Sequence, residues 1–187
     1  MSIKFKEKRV LMGKNEMKEA IDRLCSEIVE DNRELESLCI IGIRKRGDLL
    51  AGRIADILKK TTSWKIDVGV LDITLYRDDL TKYGPKPIIG STYFPCSIEG
   101  KEVLLVDDVI YTGRTIRSAL DEIVDYGRPL RVQLAVMVNR GGRELPISPD
   151  YTGISVELKD KEEVQVFLEE TDKRDLIKIV EVYNGAE

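Results

Sequence analysis

Two adjacent carboxylates, Asp107 and Asp108, follow an apolar run and stand directly before a small polar turn. The segment reads VLLVDDVIYTGRT over 103–115, and a helix-like pattern comes next. A buried strand would deliver the carboxylates, and the turn would aim backbone N–H groups and the hydroxyls of Thr112 and Thr115 into one concavity. The helix N-terminus adds about half a positive charge there, which suits a phosphate dianion. The carboxylates suit a ribose diol with a magnesium ion nearby. The alternative is a helix cap beside a solvated acidic pair.

A cluster of basic residues follows another apolar run. Arg44, Lys45 and Arg46 come directly after residues 38–43, and Gly47 ends the cluster. Three cations beyond a buried strand can bind a polyanion, and a glycine lets the backbone come close. An ordinary solvated basic turn is the alternative, because runs of charge are common on protein surfaces.

The composition excludes several classes of enzyme. The 187 residues include no histidine, which excludes Ser-His-Asp and Cys-His hydrolysis and zinc sites with histidine ligands. Any metal should then be a hard ion, magnesium or manganese, held by carboxylates and substrate phosphates. The sequence also has neither a Walker A motif nor a GxGxxG motif, which argues against a kinase or a dehydrogenase. With a net charge of −4, we expect no general attraction to nucleic acid.

The cysteines and the apolar stretches bear on localisation. Cys25, Cys39 and Cys96 are odd in number and lack CxxC spacing, which favours buried thiols in a reducing compartment over a disulfide framework. No apolar stretch approaches the ~18 residues of a membrane helix, and the first residues lack the apolar core of a signal peptide. We therefore expect a cytoplasmic protein with no membrane contact.

Apolar periodicity predicts the elements that must position these residues. Helical spacing recurs in three segments, 14–31, 48–60 and 114–126. Short apolar runs between them are typical of strands buried on both faces of a parallel sheet, at 38–43, 68–75, 103–106 and 132–138. Two later runs, 164–168 and 177–182, are predicted as strands at the sheet edge. The pattern predicts an α/β fold, with a mostly parallel central sheet flanked by helices, in a single domain over 1–187.

One long segment fits neither a helix nor a strand. Residues 76–95 contain three prolines and two glycines. Connections of this length are often lids or binding loops, and the alternative is a hairpin arm that contacts another subunit.

These motifs together resemble a known family. VLLVDDVIYTGRT is similar to the signature of type I phosphoribosyltransferases, which bind 5-phosphoribosyl-1-pyrophosphate (PRPP). Segments over almost the whole chain resemble the PyrR family, whose members are uracil phosphoribosyltransferases that also regulate pyrimidine operons by binding messenger RNA. The segments are IGIRKRGDLLA (41–51), DITLYRDDL (72–80), DDVIYTGRT (107–115), YGRP (126–129), NRGGRELPI (139–147) and DYTG (150–153).

The resemblance implies a fold and a reaction. The fold is that of a type I phosphoribosyltransferase with a flexible hood loop. The reaction is the pentosyl transfer that forms UMP and pyrophosphate from uracil and PRPP, with Mg²⁺ or Mn²⁺ bound together with PRPP. The family also forms dimers and larger assemblies, so we expect a homo-oligomer.

The resemblance further implies roles for individual residues. The 5′-phosphate loop is Thr112, Gly113, Arg114 and Thr115. The PRPP- and UMP-binding stretch begins with the ribose pair Asp107 and Asp108 and continues through Val109, Ile110 and Tyr111. The pyrophosphate loop is Arg44, Lys45, Arg46 and Gly47, with Lys45 and Arg46 also contacting PRPP.

The remaining implied residues surround the reacting centre. Tyr76, Arg77, Asp78 and Asp79 open the hood, and Arg77 is a catalytic candidate beside Asp107 and Asp108. Arg140 borders the base pocket and Val164 closes it over the pyrimidine. The metal is held mainly through PRPP, with Asp107 and Asp108 as further candidate ligands. Asp108 is also the candidate general base.

The chain departs from the family where RNA would bind. The first predicted helix carries three basic and six acidic residues, and Arg23 is the single cation at the matching positions, beside Asp22, Ser26 and Asp31. In the later loop Arg143 fits, but Gly142, Ser148 and Ile154 stand where the family has histidine, arginine and lysine. Lost phosphate contacts weaken RNA binding, so we expect attenuator activity to be weak or absent.

Asn139 is a second departure, because the family has aspartate at this position near the base pocket. Two alternatives to a uracil enzyme stay open, and Asn139 supports the first of them. One is a phosphoribosyltransferase for another base, either another pyrimidine or a 6-oxopurine. The other is a regulator that senses UMP or PRPP and turns over little.

Overall fold

A computed structural model describes residues 3–73 and 92–184. In chain order the elements are β1 (Ile3–Met12), α1 (Lys14–Asp31), β2 (Ser37–Ile43), α2 (Gly47–Thr61), β3 (Lys65–Leu71), β4 (Glu102–Ile110), α3 (Arg114–Tyr126), β5 (Arg131–Arg140), β6 (Tyr151–Val156), β7 (Glu162–Phe167), α4 (Glu169–Asp172) and β8 (Leu176–Asn184). The long segment with the predicted hood residues 76–79 falls largely outside these ranges.

The centre of the fold is a five-stranded sheet with the order β3-β2-β4-β5-β6, in which every neighbouring pair is parallel. Successive side chains of β2 point to opposite faces, as strand geometry requires. Ile40 packs with the buried residues of α1 and α2, and Ile41 packs with those of α3. Helices therefore cover both faces, which explains the continuous apolar runs and confirms the predicted α/β architecture.

The three predicted helices are confirmed. α1 spans the predicted 14–31, and its predicted apolar face of Met17, Ile21, Leu24 and Ile28 is buried. α3 spans the predicted 114–126, and α2 extends the predicted 48–60 by one residue at each end. Each of these helices buries one periodic apolar face, and this periodicity can be read from the sequence, so the sequence pattern was sufficient to predict them.

The two late strands, predicted as sheet-edge strands, belong to a separate antiparallel sheet with the order β1-β8-β7. The prediction is confirmed for β7, which is an edge strand, and wrong for β8, which is the middle strand. Alternation of apolar residues indicates one covered face but not the neighbouring strands, and β1 was not predicted because its side chains from Lys4 to Val10 are exposed. Of the run predicted over 68–75, residues 68–71 belong to β3 and residues 74–75 lie outside the described ranges.

The cysteines follow the sequence prediction in part. Cys25 and Cys39 are buried thiols, whereas Cys96 is half-buried in the connection that leads to β4. Within 3–73 and 92–184, no helix is long and apolar enough to cross a membrane.

Candidate active site

The predicted site residues follow the carboxyl ends of neighbouring parallel strands. β4 lies between β2 and β5, with Gly42 opposite Val106 and Ile110 opposite Asn139. The basic loop after β2, the carboxylates at the end of β4 and the residues after β5 therefore share one edge of the sheet. Ligands of open α/β sheets bind at this edge.

The basic loop lies directly against the carboxylate strand. A Cβ added to Gly47 would stand 2.5 Å from the carbonyl oxygen of Val106 and 3.1 Å from Cα of Asp107, closer than side chains tolerate. Glycine is therefore required for α2 to begin in contact with β4. The Arg44–Lys45 peptide bond is cis, and Arg46 has a φ of 76°.

The two arginines of this loop keep part of their hydrogen-bonding capacity unused. The Nε atoms of Arg44 and Arg46 are buried and have no hydrogen-bond partner among the described residues. Arg44 Nε lies 3.8 Å from a carboxylate oxygen of Asp48, and Arg46 Nη2 lies 3.4 Å from both carboxylate oxygens of Asp172. Lys45 is exposed. The loop thus presents cationic donors whose protein partners are few and distant.

Asp172 is the counter-ion of Arg46 and was not predicted. Burial alone would raise the pKa of Asp172, but hydrogen bonds from the Leu168 N–H and the Thr171 hydroxyl, together with the Arg46 charge, hold the pKa below its ordinary value. Asp172 lies more than a hundred residues from Arg46 in the sequence, and no local pattern connects them.

The carboxylate pair divides into one buried and one accessible member. Asp107 is 4% exposed, and its Oδ1 accepts a hydrogen bond from the Asp108 N–H at 2.9 Å. Asp108 is half-buried. Asp107 is therefore fixed by the backbone of its neighbour, while Asp108 remains within reach of a ligand.

The predicted phosphate loop leads into the N-terminus of α3. Gly113 caps this helix with a φ of +93°, in the left-handed region that glycine adopts without strain. The Arg114 N–H donates to Thr112 Oγ1 at 3.3 Å, and the first turn of α3 contains no acidic residue. The positive end of the helix dipole thus meets no carboxylate in its own first turn, which suits an anion.

Other residues of the predicted PRPP stretch have structural roles. Ile110 is buried in the core beneath α3, and Val109 packs against the core on the opposite face. Any contact of Ile110 with a ligand would therefore come from its backbone, whereas Val109 is half-buried.

A cleft of about 390 Å³ opens beside the phosphate loop. The Arg140 guanidinium stacks over the Tyr111 ring at 3.8 Å from its centroid, and Arg140 Nη2 donates to the Glu162 carbonyl at 3.3 Å. The lining residues are Tyr111, Arg140, Gly141, Gly142, Glu157, Leu158, Lys159, Asp160, Lys161 and Glu162. Val164, predicted to close the base pocket, is half-buried and packs against the core, and it is not among the residues that line this cleft.

Asn139 anchors a second contact to the phosphate loop. Its Oδ1 accepts a hydrogen bond from Arg143 Nη2 at 2.6 Å, and Arg143 Nη1 donates to the Tyr111 carbonyl. Burial lowers the pKa of Arg143. The amide thus supplies the acceptor that an aspartate would supply here, without the charge.

The oxygen acceptors of the site fit a metal ion that binds together with the ligand. No group of three or more acidic, cysteine or histidine side chains within 3–73 and 92–184 could hold an ion by itself. Asp107 and Asp108 offer the hard oxygen atoms that Mg²⁺ prefers, and a diphosphate would have to supply the others. The predicted catalytic Arg77 lies outside the described residues.

The chain is similar to known phosphoribosyltransferases. The family model "Phosphoribosyl transferase domain" matches residues 13–171. The chain is 48% identical to "Bifunctional protein PyrR" of Pelotomaculum thermopropionicum, over 94% of this chain and 97% of the relative. Its identity to the protein of the same name from Thermus aquaticus is also 48%, over 93% and 96%.

Solved structures support the fold. The hypoxanthine phosphoribosyl transferase of Trypanosoma cruzi superposes with a TM-score of 0.72 at 19% identity, over 93% of this chain and 91% of that chain. A hypoxanthine-guanine phosphoribosyltransferase from Bacillus anthracis gives 0.63 at 19% identity, over 81% and 85%. The fold and the family match define a type I phosphoribosyltransferase. Within this class, the chain belongs to the PyrR family.

Proposed function

We propose that the protein transfers the 5-phosphoribosyl group of PRPP to uracil, forming UMP and pyrophosphate, and that it has weak or no attenuator activity on RNA. The proposal includes Mg²⁺ or Mn²⁺ bound with PRPP, and it covers 1–187 as one phosphoribosyltransferase domain. Two findings support it, the membership of the chain in the PyrR family and the residues that lie at the carboxyl edge of the sheet.

One observation carries the proposal. The close approach of Gly47 to Asp107 brings the basic loop and the carboxylate pair together at one edge, and the phosphate loop continues from the same strand. These three parts follow one another in the order of the groups in PRPP. The cations would bind the diphosphate, the carboxylates the ribose, and the helix N-terminus the 5′-phosphate.

The protein would act mainly by positioning groups and stabilising charge. Arg44, Lys45 and Arg46 would hold the leaving pyrophosphate, and Asp107 and Asp108 would stabilise positive charge on the ribose as uracil N1 attacks C1′. The bound magnesium ion would neutralise part of the diphosphate charge. Asp108, the accessible carboxylate, is the candidate general base, and Arg77 would act from the hood.

The cleft between Tyr111 and residues 157–162 is the candidate base site. Its volume lies in the usual range for small-molecule sites. Asn139 lies outside its lining, and its amide already accepts from Arg143. This favours a structural role for Asn139, in which it positions Arg143, over a role in selecting a base other than uracil.

The test is pyrophosphate release from PRPP and magnesium with uracil, cytosine, orotate, hypoxanthine or guanine offered in turn. We expect turnover with uracil alone. Turnover with another base would keep the phosphoribosyl transfer and move the substrate assignment. No turnover with any base, in a protein that still binds UMP, would favour the sensing regulator.

Two cations on the predicted RNA face are already engaged within the chain. Arg23 donates to the carbonyl oxygens of Gly153 at 2.5 Å and Thr152 at 3.3 Å, and it pairs with Glu27. Arg143 is held by Asn139 and Tyr111. We therefore expect a filter-binding assay with a pyrimidine-leader hairpin to give no nanomolar complex at physiological salt, and such a complex would overturn this part of the proposal.

A further inference from the structure

Two thiols lie close together in the half of the sheet opposite the candidate site. Cys39 is the third residue of β2, whereas the basic loop follows the last residue of that strand. Cys96 belongs to the connection between the long segment and β4, and its Sγ lies 4.0 Å from the Sγ of Cys39. The proposed transfer reaction uses neither thiol.

The two thiols differ in accessibility and in their surroundings. Cys39 is fully buried, and burial, together with the nearby Cys96 sulfur, raises the pKa of its thiol to about 12. Cys96 is half-buried and lies beside the ion pair of Lys101 and Asp67, whose Nζ and Oδ2 are 3.4 Å apart. Hydrogen bonding with Cys96 is the main cause that raises the pKa of Lys101 and lowers that of Asp67.

The positions of the charges assign different chemistry to the two sulfurs. Cys96 is the more accessible of the two residues, and the Lys101 ammonium interacts with its side chain, which favours Cys96 as the attacking sulfur. Cys39 stays protonated inside the core and can act only on a partner that is already beside it. This is the arrangement of an accessible attacking thiol with a resolving thiol behind it.

We propose that Cys39 and Cys96 are a redox pair that closes into an intramolecular disulfide on reaction with a hydroperoxide. The Cys96 thiolate attacks a peroxide oxygen, the O–O bond breaks, and Cys96 becomes a sulfenic acid as hydroxide leaves and takes up a proton. The Cys39 sulfur then forms a bond with the Cys96 sulfur, the S–O bond breaks, and hydroxide leaves as water with the Cys39 proton. Two thiols and one hydrogen peroxide thus give one disulfide and two waters, and a dithiol reductant reverses the oxidation.

The backbone around Cys96 allows the sulfurs to approach each other. Residues 92–101 return from the long segment along β3, where Tyr93 exchanges two backbone hydrogen bonds with Val70, of 2.7 and 2.8 Å. Cys96 follows this pairing in irregular backbone, whereas Cys39 is fixed between β3 and β4. A disulfide needs an S–S distance of about 2 Å, so the two sulfur atoms must approach each other, and we expect Cys96 to be the residue that moves.

The disulfide would connect the segment that returns from the predicted hood to the strand that precedes the pyrophosphate loop. It would close a long loop of the unfolded chain, which raises stability. We expect the oxidised protein to unfold at a Tm roughly 5 °C or more above the reduced protein.

The test treats the full chain with hydrogen peroxide and measures intact mass, free thiols after denaturation, and the linked peptides. The wild type should lose the mass of two hydrogens and two of its three thiols, yield a Cys39–Cys96 peptide, and regain both thiols with dithiothreitol. Cys25→Ser is the matched control, since Cys25 is the remaining buried thiol, and it should behave like the wild type.

Variants of the pair separate the roles of the two sulfurs. Cys39→Ala should accumulate a sulfenic acid at Cys96 that dimedone traps, and Cys96→Ala should lose this reactivity. Lys101→Met should slow the oxidation several-fold with no change in the final disulfide. Because Cys96 is half-buried, Cys96→Ala remains a folded test even if a change at Cys39 destabilises the core. No loss of two hydrogens, a crosslink between chains, or equal oxidation of Cys96→Ala would each overturn the proposal.

Discussion

Arg46 is the N-cap of α2, and Arg53 lies about two turns further along the helix, but their side chains are bound in opposite ways. Arg53 makes two hydrogen bonds to Glu170, of 2.8 and 2.6 Å, and two to Asp175, of 3.1 and 2.7 Å. Arg46 reaches Asp172 only at 3.4 Å, and its buried Nε has no hydrogen-bond partner in the described part of the chain. Arg53 thus uses most of its hydrogen-bond donors within the protein, whereas the donors of Arg46 remain available.

This difference separates a structural arginine from a binding arginine. Arg53 fastens the segment between β7 and β8 to α2, and its bonds leave little capacity for a ligand. Arg46 and its neighbour Arg44 keep buried donors that a diphosphate could satisfy, and an unpartnered buried donor is costly until it is satisfied. Changes at the binding edge should therefore affect turnover and PRPP affinity, whereas changes at Arg53 should affect stability.

The largest effect is expected at the binding edge, from Asp108→Asn. The amide keeps the shape but removes the charge that would stabilise the cationic ribose, so turnover should fall by at least about 100-fold. The measurement is kcat for pyrophosphate release with uracil. Asp125→Asn, on the exposed side of α3, is the matched control and should retain wild-type kcat. Near wild-type turnover of Asp108→Asn would remove this carboxylate from the mechanism.

Gly47→Ala tests whether the close contact between the basic loop and the carboxylate strand is obligatory. The added methyl group would meet main-chain atoms of β4, which cannot rotate away, so unfolding in urea should show a loss of about 2–3 kcal/mol. Gly52→Ala is the matched control on the same helix, because nothing lies within 4 Å of its added Cβ. That change should stabilise the protein by about 0.5–1 kcal/mol. Equal effects of the two changes would contradict the contact.

The part of the site that could be predicted from sequence is the part encoded in short contiguous segments. The basic loop and the stretch from Asp107 to Thr115 each contain a strand end, a turn and a helix start, so their position at one sheet edge followed from the α/β pattern. Asp172, and the contact of Arg143 with the Tyr111 carbonyl, could not be predicted, since both depend on tertiary packing between segments far apart in the sequence. The strand that carries Val164 belongs to the second sheet, and its alternating pattern alone does not indicate which sheet it joins.

Arg53→Met tests the saturated side of the comparison. Removing the guanidinium leaves two carboxylates without their partner, and the free energy of unfolding should fall by about 2 kcal/mol at neutral pH. PRPP affinity and kcat should change less than about threefold, because Arg53 lies outside the loops of the site. Urea unfolding and steady-state kinetics on the same preparation check both expectations. A large rise in the KM for PRPP with unchanged stability would reverse the assigned roles.

The same variant should also differ from the wild type in its pH dependence. The hydrogen bonds from Arg53 are the largest cause that lowers the pKa of Glu170. Burial alone would raise the pKa of Asp175, but the hydrogen bonds from Arg53 and the Glu169 N–H, together with the Arg53 charge, lower it. A lowered folded-state pKa adds stability that is present above the unfolded pKa of about 4 and is lost as the pH falls through the folded value. The stability difference between wild type and Arg53→Met should therefore be constant near neutral pH and shrink below about pH 4. A difference that grows toward acid pH would contradict these ion pairs.

Arg46→Met sharpens the comparison from the binding side. Its bonds to Asp172 are long, so the free energy of unfolding should fall by less than the loss expected for Arg53→Met. Loss of one charged donor to a diphosphate should raise the KM for PRPP by about tenfold or more. The KM for uracil should change little, because Arg46 does not line the cleft beside Tyr111 that is the candidate base site. Lys59→Met, at an exposed position of the same helix, controls for the loss of one positive charge and should leave both constants unchanged. If Arg46→Met instead lost as much stability as Arg53→Met and kept its PRPP affinity, the long contact with Asp172 would be structural, and the two arginines of α2 would have the same role.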